Sequence, residues 1–474
     1  MQNKTYYLKL FNTMSRQKES IIPHDGKTIK MYTCGPTIYD YAHIGNFRTY
    51  VFEDLLRRTL KYFSFDLLQV MNITDIDDKT IKGALNKKMS LLEYTEPFRQ
   101  AFLQDLSTLN IQKAEYYPRA TQHIDYMIDI IMKLIDKKIA YKGVDGSIYF
   151  SIEKFPEYGK LSHLDLKNLK MGASERISAD EYDKENASDF VLWKAYDETR
   201  DGNIFWNSPF GKGRPGWHIE CSAMSIKLLG ETLDIHCGGV DNMFPHHENE
   251  IAQSESFTGK PFVFHWAHCE HLIVDGKKMS KSLGNFYTLR DLLSMDFTGA
   301  EVRYMLLHTH YRTQLNFTFD GLKAAKASIQ RIKDFIQRLK SINTESSFNL
   351  IADVLQKTRM NFKEALSDDL NISVALASVF DLIREINHLI DDKKISKIEA
   401  QNVIDLFTEI DEILGCVFID ENQTIPQNVT EAFEKRKEAR KNKNFDLADE
   451  LRDFILDMGY VIEDMPDGAR LKKK

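Results

Sequence analysis

The chain has 474 residues, 43% of them hydrophobic, which is more than one core normally organises, so two or three domains are expected. Five cysteines are too few for a disulfide framework, which excludes the small stapled secreted proteins. The N-terminal residues lack a signal-peptide core and no apolar run approaches the ~18 residues that span a bilayer. We therefore expect a cytoplasmic protein without membrane contact. The net charge of −7 argues mildly against nucleic acid, although phosphate recognition needs only one basic face.

Residues 28–80 alternate strand and helix patterns. KMYTCGP is typical of a strand ending in a turn, residues 46–63 carry apolar side chains at helical spacing, and FDLLQVM is typical of a second strand. This order predicts a right-handed βαβ unit and a parallel sheet.

The rest of the chain divides by pattern into further regions. Residues 94–139 are helical in pattern, and 140–210 mix Gly, Pro and charge, as expected of an insertion into the sheet domain. Strand patterns return at TLDIHCGG and FVFHWAHCEHLIVDG. Amphipathic helices over 321–417 predict a bundle, followed by a linker over 420–430 and a small charged module.

The first motif is PTIYDYAHIGNFRTY, residues 36–50. A turn after a strand brings His43, Gly45 and Asn46 to the start of a helix, where free N–H groups and the helix dipole favour an anion. Gly45 lets a ligand approach the backbone, and His43 and Asn46 can donate hydrogen bonds to phosphate oxygens. Taken alone, the tetrapeptide favours an ordinary turn with a packed histidine.

The second motif is GKKMSKSLGNF, residues 276–286, a basic loop after the strand HLIVD. Lys278 and Lys281, with the hydroxyl of Ser280 between them, suit a mobile loop that folds over polyphosphate. A solvated lysine loop is the default interpretation, and we set it aside because residues 278–282 match a known signature letter for letter.

Together the two motifs resemble the HIGH and KMSKS signatures of class I aminoacyl-tRNA synthetases. The resemblance implies that the first holds ATP, with Mg²⁺, and that the second closes over the pyrophosphate while an amino-acid carboxylate attacks the α-phosphorus. The chain departs at Asn46, where the signature has histidine, but an amide can still donate. The implied nucleotide contacts are His43, Gly45, Asn46, Lys278, Ser280 and Lys281, with His43, Asn46, Lys278 and Lys281 as the catalytic residues.

A third constellation is dispersed along the chain: Cys34, Cys221, His246 and Glu250. Two thiolates, an imidazole and a carboxylate are a plausible zinc set, and His246 and Glu250 share a helix face at i, i+4. The spacing is no compact zinc-finger pattern, so the residues alone do not assemble it. Each cysteine taken singly is more often an inert buried thiol, and His247 suits a ligand equally well on spacing.

The resemblance narrows to cysteinyl-tRNA synthetases, in which a zinc is held by matching residues. It implies one Zn²⁺ on Cys34, Cys221, His246 and Glu250, and leaves Cys237, Cys269 and Cys416 as structural thiols. A pocket that discriminates by shape alone separates cysteine from serine by only about 10–200-fold, whereas tRNA charging needs a discrimination of about 10⁴. Zinc bonds a thiolate far better than a neutral hydroxyl, so the metal can select cysteine over serine.

Three further residues are implied in the cysteine pocket. Thr74 in NITDIDDK is expected to help hold the substrate, and Trp217 to wall the pocket, with a plain core tryptophan as its alternative. Asp241 in GGVDNMFPHHENE is expected to meet the substrate amino group.

Transfer RNA is the implied macromolecular partner. Residues 367–390 resemble the helical anticodon-binding domain of this family, although a structural bundle fits the same periodicity. The final module departs from the family at its GARLKKK tail. Its basic helix is where phosphate contact is expected, with a solvated face as the alternative. The basic residues are Lys435, Arg436, Lys437, Arg440, Lys441 and Lys443.

We therefore predict an α/β cysteine–tRNA ligase that uses L-cysteine, ATP and tRNA(Cys), as a monomer. Rival hypotheses are a ligase that joins cysteine to an amino sugar, a catalytically dead paralogue, and a zinc hydrolase built on HHENE. The predicted organisation is a Rossmann-like catalytic domain over 1–320 with an insertion at about 115–205 and a KMSKS region at 270–320, a helical anticodon-binding domain over 321–420, and a basic module over 425–474.

Overall fold

The computed structural model describes residues 7–163, 189–345, 350–418, 427–442, 444–465 and 468–473. The chain forms two compact units, Met1–Val417 and Phe418–Lys474. The first unit contains both the sheet region and the helical region, so the domain boundary expected near residue 320 stays a prediction. Within the described ranges, no helix is long and apolar enough to cross a bilayer.

The strands of the described residues fall into five sheets. They are β1 (Lys9–Asn12), β2 (Gln17–Ser20), β3 (Thr28–Thr33), β4 (Asp66–Met71), β5 (Ala140–Lys142), β6 (Ile148–Phe150), β7 (Phe190–Ala195), β8 (Gly213–Pro215), β9 (Leu233–Gly239), β10 (Val263–Cys269), β11 (Leu272–Val274), β12 (Lys277–Lys278), β13 (Leu315–Phe317), β14 (Tyr460–Met465) and β15 (Gly468–Lys473).

The α-helices of the same residues lie mostly in the first unit. They are α1 (Ile44–Tyr62), α2 (Asp78–Lys87), α3 (Leu91–Thr108), α4 (Ile124–Asp136), α5 (Glu198–Asp201), α6 (Trp217–Leu229), α7 (Val240–Asn242), α8 (Glu248–Thr258), α9 (Leu289–Ser294), α10 (Gly299–Leu307), α11 (Phe319–Lys340), α12 (Ala352–Ser367), α13 (Ile372–Asp391), α14 (Lys397–Leu414), α15 (Gln427–Lys441) and α16 (Phe445–Asp457).

A four-stranded parallel sheet organises the first unit. Its order is β10-β9-β3-β4, with Tyr32 opposite both Val70 on β4 and His236 on β9. Side chains on both faces of β3 and β9 are buried, which suits a parallel sheet covered on two sides. The predicted strand–helix–strand unit is β3–α1–β4, and α1 brings the first motif to the edge where these strands end.

Two expectations about the middle of the chain are corrected. The helix pattern over 94–139 is interrupted, because α3 ends at Thr108 and α4 begins at Ile124. The region over 140–210 is less irregular than expected, since its strands β5, β6 and β7 form an antiparallel sheet that β8, just beyond the region, completes in the order β5-β6-β7-β8. Residues 164–188 of the predicted insertion lie outside the described residues.

The second unit is a small α/β module. Helices α15 and α16 and the β14–β15 hairpin share a core that includes Val429, Phe433, Ile455 and Tyr460. The linker expected over 420–430 is corrected at its end, because α15 begins at Gln427. The basic face expected on α15 is also smaller than predicted, since Arg436 is buried.

Candidate active site

A cavity of about 650 Å³ opens where the strands of the parallel sheet end, the usual ligand position in such sheets. Cys34 follows β3, Thr74 follows β4, Asp241 follows β9, and Cys269 ends β10. Residues of both motifs complete the wall. The cavity therefore collects polar side chains from positions more than two hundred residues apart.

The first motif forms a capping box at the start of α1. Nδ1 of His43 accepts a hydrogen bond from the N–H of Asn46 at 3.2 Å, and Oδ1 of Asn46 accepts one from the N–H of His43 at 3.1 Å. With Oδ1 engaged in this way, the Nδ2 group of Asn46 is the part of the amide left to donate to a ligand. Asn46 stands where the signature has histidine, and the capping box fixes the orientation of its side-chain amide.

Burial lowers the pKa of His43 to about 4, and the charge of Lys281 acts in the same direction. The imidazole is therefore neutral at neutral pH. Because Nδ1 accepts from the backbone, the ring carries its proton on Nε2 and can donate to a ligand oxygen.

The second motif contains β12 near its start and then turns over the start of α1. Asn285 braces the loop, since its Oδ1 accepts from the N–H of Ser280 at 2.9 Å and its Nδ2 donates to the carbonyl of Lys278 at 3.2 Å. Lys278 and Met279 line the cavity. A Cβ on Gly45 would lie 3.1 Å from Cε of Met279, so Gly45 permits this close approach.

The four predicted metal ligands meet at the inner end of the cavity. One donor atom each from Cys34, Cys221, His246 and Glu250 lies within 4.8 Å of the others, and all four residues are buried. Nε2 of His246 is 3.0 Å from Oε1 of Glu250. Cys34 and Cys221 are 187 residues apart in the sequence. The fold brings them together because Cys34 follows β3 of the sheet and Cys221 lies on α6.

A second possible set shares Cys34 and Glu250 but uses His236 and His247. This set includes His247, which the sequence spacing allowed as an alternative ligand. Three members of the first set, Cys34, Cys221 and His246, line the cavity, whereas His236 and His247 do not. The first set is therefore the better placed of the two to present a metal to a bound substrate.

Mutual hydrogen bonds and charges organise the cluster. The hydrogen bond from the Cys34 thiol lowers the pKa of Cys221 to about 6, so Cys221 is the thiolate of the pair. Burial opposes the charge of His246, but Glu250 and Cys221 raise its pKa to about 10. Burial likewise opposes ionisation of Glu250, while His236 and His246 bring its pKa to about 2.

The donor set passes a chemical test for zinc. Two sulfurs, one imidazole nitrogen and one carboxylate oxygen are ligands that zinc takes in tetrahedral sites. In addition, the buried Oε1 of Glu250 lies 3.0 Å from Nε2 of His246 but accepts no hydrogen bond of acceptable geometry from the described residues. An oxygen left in that state is what a metal ligand would be without its ion.

An outer group of imidazoles surrounds the cluster, and the sequence reasoning named His247 of this group but missed His218, His236 and His268. His218 contacts His246 at 2.9 Å, His236 contacts Glu250 at 3.0 Å, and His247 contacts Cys34 at 3.3 Å. His268 supports His247 at 2.9 Å. A signal existed, because His236 and His268 sit near the ends of adjacent buried strands, next to a predicted metal site.

The three predicted pocket residues all line the cavity. Trp217 begins α6, is 36% exposed, and stacks on His246 with 4.1 Å between ring centroids. The hydroxyl of buried Thr74 donates to Glu220 at 3.2 Å. Asp241 lies 3.2 Å from Nδ1 of His271, whose pKa it raises.

The other cysteines stay apart from the cluster, as expected. Cys237, Cys269 and Cys416 are buried free thiols, so that all five cysteines of the chain are buried.

Comparisons with known proteins agree with this geometry. Residues 20–327 match a family model described as the tRNA synthetases class I (C) catalytic domain, and residues 361–418 match a DALR domain. Among solved structures, methionyl-tRNA synthetase of Mycobacterium tuberculosis with methionyl-adenylate has a TM-score of 0.61 at 13% identity, covering 83% of this chain and 88% of that chain. A leucyl-tRNA synthetase complex from Agrobacterium radiobacter K84 has a TM-score of 0.59 at 12% identity, covering 84% and 85%. These likenesses show the fold alone, and the predicted fold class is confirmed.

Curated relatives are much closer in sequence. The chain is 61% identical over 472 residues to the cysteine–tRNA ligase of Protochlamydia amoebophila (strain UWE25), covering 99% of each. It is 55% identical over 467 residues to that of Chlamydia pneumoniae, covering 98% of each. The family model and these identities together establish that the chain belongs to the cysteine–tRNA ligase family of class I aminoacyl-tRNA synthetases.

Proposed function

We propose that this protein activates L-cysteine with ATP to cysteinyl-adenylate and transfers it to the 3′ end of tRNA(Cys), releasing diphosphate and AMP. The observation that carries the proposal is a single cavity lined by both signature motifs and closed at its inner end by the thiol–imidazole–carboxylate cluster. One bound cysteine can thus contact the cluster with its sulfur while its carboxylate faces the nucleotide.

The nucleotide is held by the first motif and the loop. Nε2–H of His43 and Nδ2 of Asn46 donate to phosphate oxygens at the positive end of α1, and Gly45 allows close approach of ATP. Lys278 and Lys281 neutralise charge on the phosphates, with Ser280 beside them and Mg²⁺ accompanying ATP. Positioning and electrostatics supply the rate, without a covalent enzyme intermediate.

Selection of cysteine rests on the cluster. Cys34, Cys221, His246 and Glu250 would hold one Zn²⁺, which when bound supplies a thiophilic Lewis acid that favours a thiolate over a hydroxyl. Trp217 walls the pocket by stacking on His246.

The remaining pocket residues hold the backbone of the substrate. Thr74 keeps a lone pair for it beside the hydrogen bond to Glu220, and Asp241 faces its amino group.

Transfer requires the acceptor end of tRNA at the same cavity. In this proposal a hydroxyl of the terminal ribose attacks the adenylate carbonyl and AMP leaves; class membership favours the 2′-hydroxyl as the first acceptor. The DALR region over 361–418 and the exposed part of the basic helix α15 contribute tRNA contacts. We further propose that the protein acts as a cytoplasmic monomer.

The deciding experiment is pyrophosphate–ATP exchange measured with each amino acid on zinc-loaded protein. We expect exchange with cysteine and at least about 10⁴-fold less with serine. Acceptor assays with tRNA(Cys) and with an amino sugar then separate charging from small-molecule ligation. Absence of cysteine-dependent exchange would contradict the proposal.

A substitution tests the metal role directly. Cys221→Ser should lower zinc content, measured by elemental analysis, and raise the KM for cysteine more than that for ATP. The matched control is Cys237→Ser, because Cys237 is also a buried free thiol but lies on β9, outside the cluster. Full zinc occupancy and an unchanged KM for cysteine in Cys221→Ser would rule out this role.

A further inference from the structure

Asp40 lies in the turn between β3 and α1, and both of its carboxylate oxygens are engaged. Oδ1 accepts a hydrogen bond from the N–H of Tyr41 at 2.8 Å, which fixes the carboxylate to its own turn. Oδ2 is 2.5 Å from Nζ of Lys281, the second lysine of the KMSKS loop. Asp40 thus joins the first motif to the second across the mouth of the cavity.

The surroundings of Lys281 hold its ammonium group from a second side. Nζ lies 5.1 Å from the ring centroid of Phe286, and that ring packs edge-on against His43 at 5.2 Å. Cation–π contact with Phe286 and the charge of Asp40 therefore direct the same lysine toward the start of α1.

The base of the loop is fixed by the backbone. The N–H of Ile44 donates to the carbonyl of Tyr287 at 2.9 Å, and His43 and Thr288 form an isolated bridge. With the base attached in this way, the tip around Lys281 is the part whose position depends on side-chain contacts.

We propose that Asp40 is a positioning residue for Lys281, which keeps the KMSKS loop folded over the cavity before ATP arrives. This inference rests on the proposed function, because it assigns Lys281 to the triphosphate. An ammonium group has three donors, so Lys281 can keep Asp40 with one and offer two to phosphate oxygens. Asp40 then pre-orders the loop and limits the ordering entropy lost when ATP binds.

The size of the effect follows from exposure. The side chains of Lys281 and Asp40 are 64% and 37% exposed, and ion pairs at such sites contribute about 0.2–1 kcal/mol. Loss of the pair should therefore lower kcat/KM for ATP in pyrophosphate exchange by about 1.4- to 5-fold. Transfer from preformed cysteinyl-adenylate to tRNA should not change.

The first test compares Asp40→Asn with Asp368→Asn, a control at an exposed lysine pair 2.7 Å long and outside the cavity. Hydrogen exchange over residues 277–285 is measured on the nucleotide-free protein. We expect faster exchange in Asp40→Asn alone, and recovery of protection in the presence of ATP. Unchanged exchange in Asp40→Asn would overturn the proposal, even if the enzyme activates cysteine as expected.

The second test is a double-mutant cycle with Lys281→Ala. If Asp40 acts through Lys281, Asp40→Asn has no further effect on pyrophosphate exchange in the Lys281→Ala background. Equal effects in both backgrounds would overturn the proposal. A lower KM for ATP in Asp40→Asn would do the same, because it would mean that Asp40 competes with phosphate for the lysine.

Discussion

Two neighbouring buried carboxylates on α1 have opposite surroundings. Glu53 is fully buried, and neither of its oxygens has a hydrogen-bond partner among the described residues. Asp54 is 2.7 Å from Arg58 and 2.6 Å from Arg303, and accepts from the N–H of Gln112. Burial raises the pKa of Glu53 well above its ordinary value. Burial also acts to raise the pKa of Asp54, but Arg303 and Arg58 hold it below its ordinary value.

Glu53→Met should stabilise the protein by about 1–3 kcal/mol at pH 8, since it removes a buried group without partners. The folded state binds the Glu53 proton more tightly than the unfolded state does. Wild-type stability relative to the variant is therefore highest below the ordinary value of 4.5 and falls as pH rises toward the raised pKa. Thermal unfolding between pH 5.5 and pH 8.5 measures this, and a difference independent of pH would contradict the assignment.

Asp54→Asn is expected to do the reverse, with a loss of about 3–5 kcal/mol near neutral pH, because it leaves two buried arginines without their charge partner. Its pKa is depressed, so the stabilisation is present above the ordinary pKa of Asp and is lost as pH falls. Denaturant unfolding at pH 7.5 and pH 3 tests the size and sign, because the lower value lies below the ordinary Asp pKa of 3.8; a neutral effect at pH 7.5 would show that the pairs contribute little.

At the scale of elements, the capping box of α1 serves both the helix and the ligand. Asn46→Asp separates the two roles, since the carboxylate can still accept from the N–H of His43 but donates nothing. We expect unchanged thermal stability and a KM for ATP raised about 10- to 100-fold, from a lost charge-assisted hydrogen bond and added repulsion. If thermal stability fell as much as activity, the side chain would act mainly as a cap.

Whether a helix or strand could be predicted from the sequence depended on its length and on the regularity of its apolar pattern. Helix α1, strand β3 and the helices α11 and α13 were found from periodicity because each spans enough residues to show one. The antiparallel sheet of the insertion was missed because β5 and β6 have three residues each, too few to display alternation. Its stability comes from pairing and burial, which the local sequence does not reveal.

At the scale of the whole molecule, the site depends on contacts that only the fold creates. Cys34 and Cys221 were connected through family resemblance, and spacing alone left His247 as an equal candidate. The structure brings the four donors together but also adds His218 and His268, which had no sequence signal of comparable strength. Long-range convergence of this kind is set by sheet topology, which is why residue patterns could not supply it.

The second unit gives a prediction that separates tRNA binding from chemistry. Lys435 and Arg440 are exposed on α15. Their double replacement by Glu should raise the KM for tRNA about tenfold and reduce the salt dependence of charging, while cysteine-dependent pyrophosphate exchange stays unchanged. If the variant and the wild type charged tRNA with the same kinetics at low salt and at high salt, these residues would belong to a solvated face.

The burial of all five cysteines has a practical consequence for spectroscopy. A thiol-reactive dye should modify a cysteine introduced at a solvent-facing position faster than the native thiols, of which Cys34, Cys221 and Cys269 are reached only through the cavity. The metal-site thiols therefore need not be removed first. Leu283, which is 61% exposed at the tip of the KMSKS loop, is such a position. Fluorescence from Leu283→Cys would report loop closure in real time on an otherwise intact enzyme.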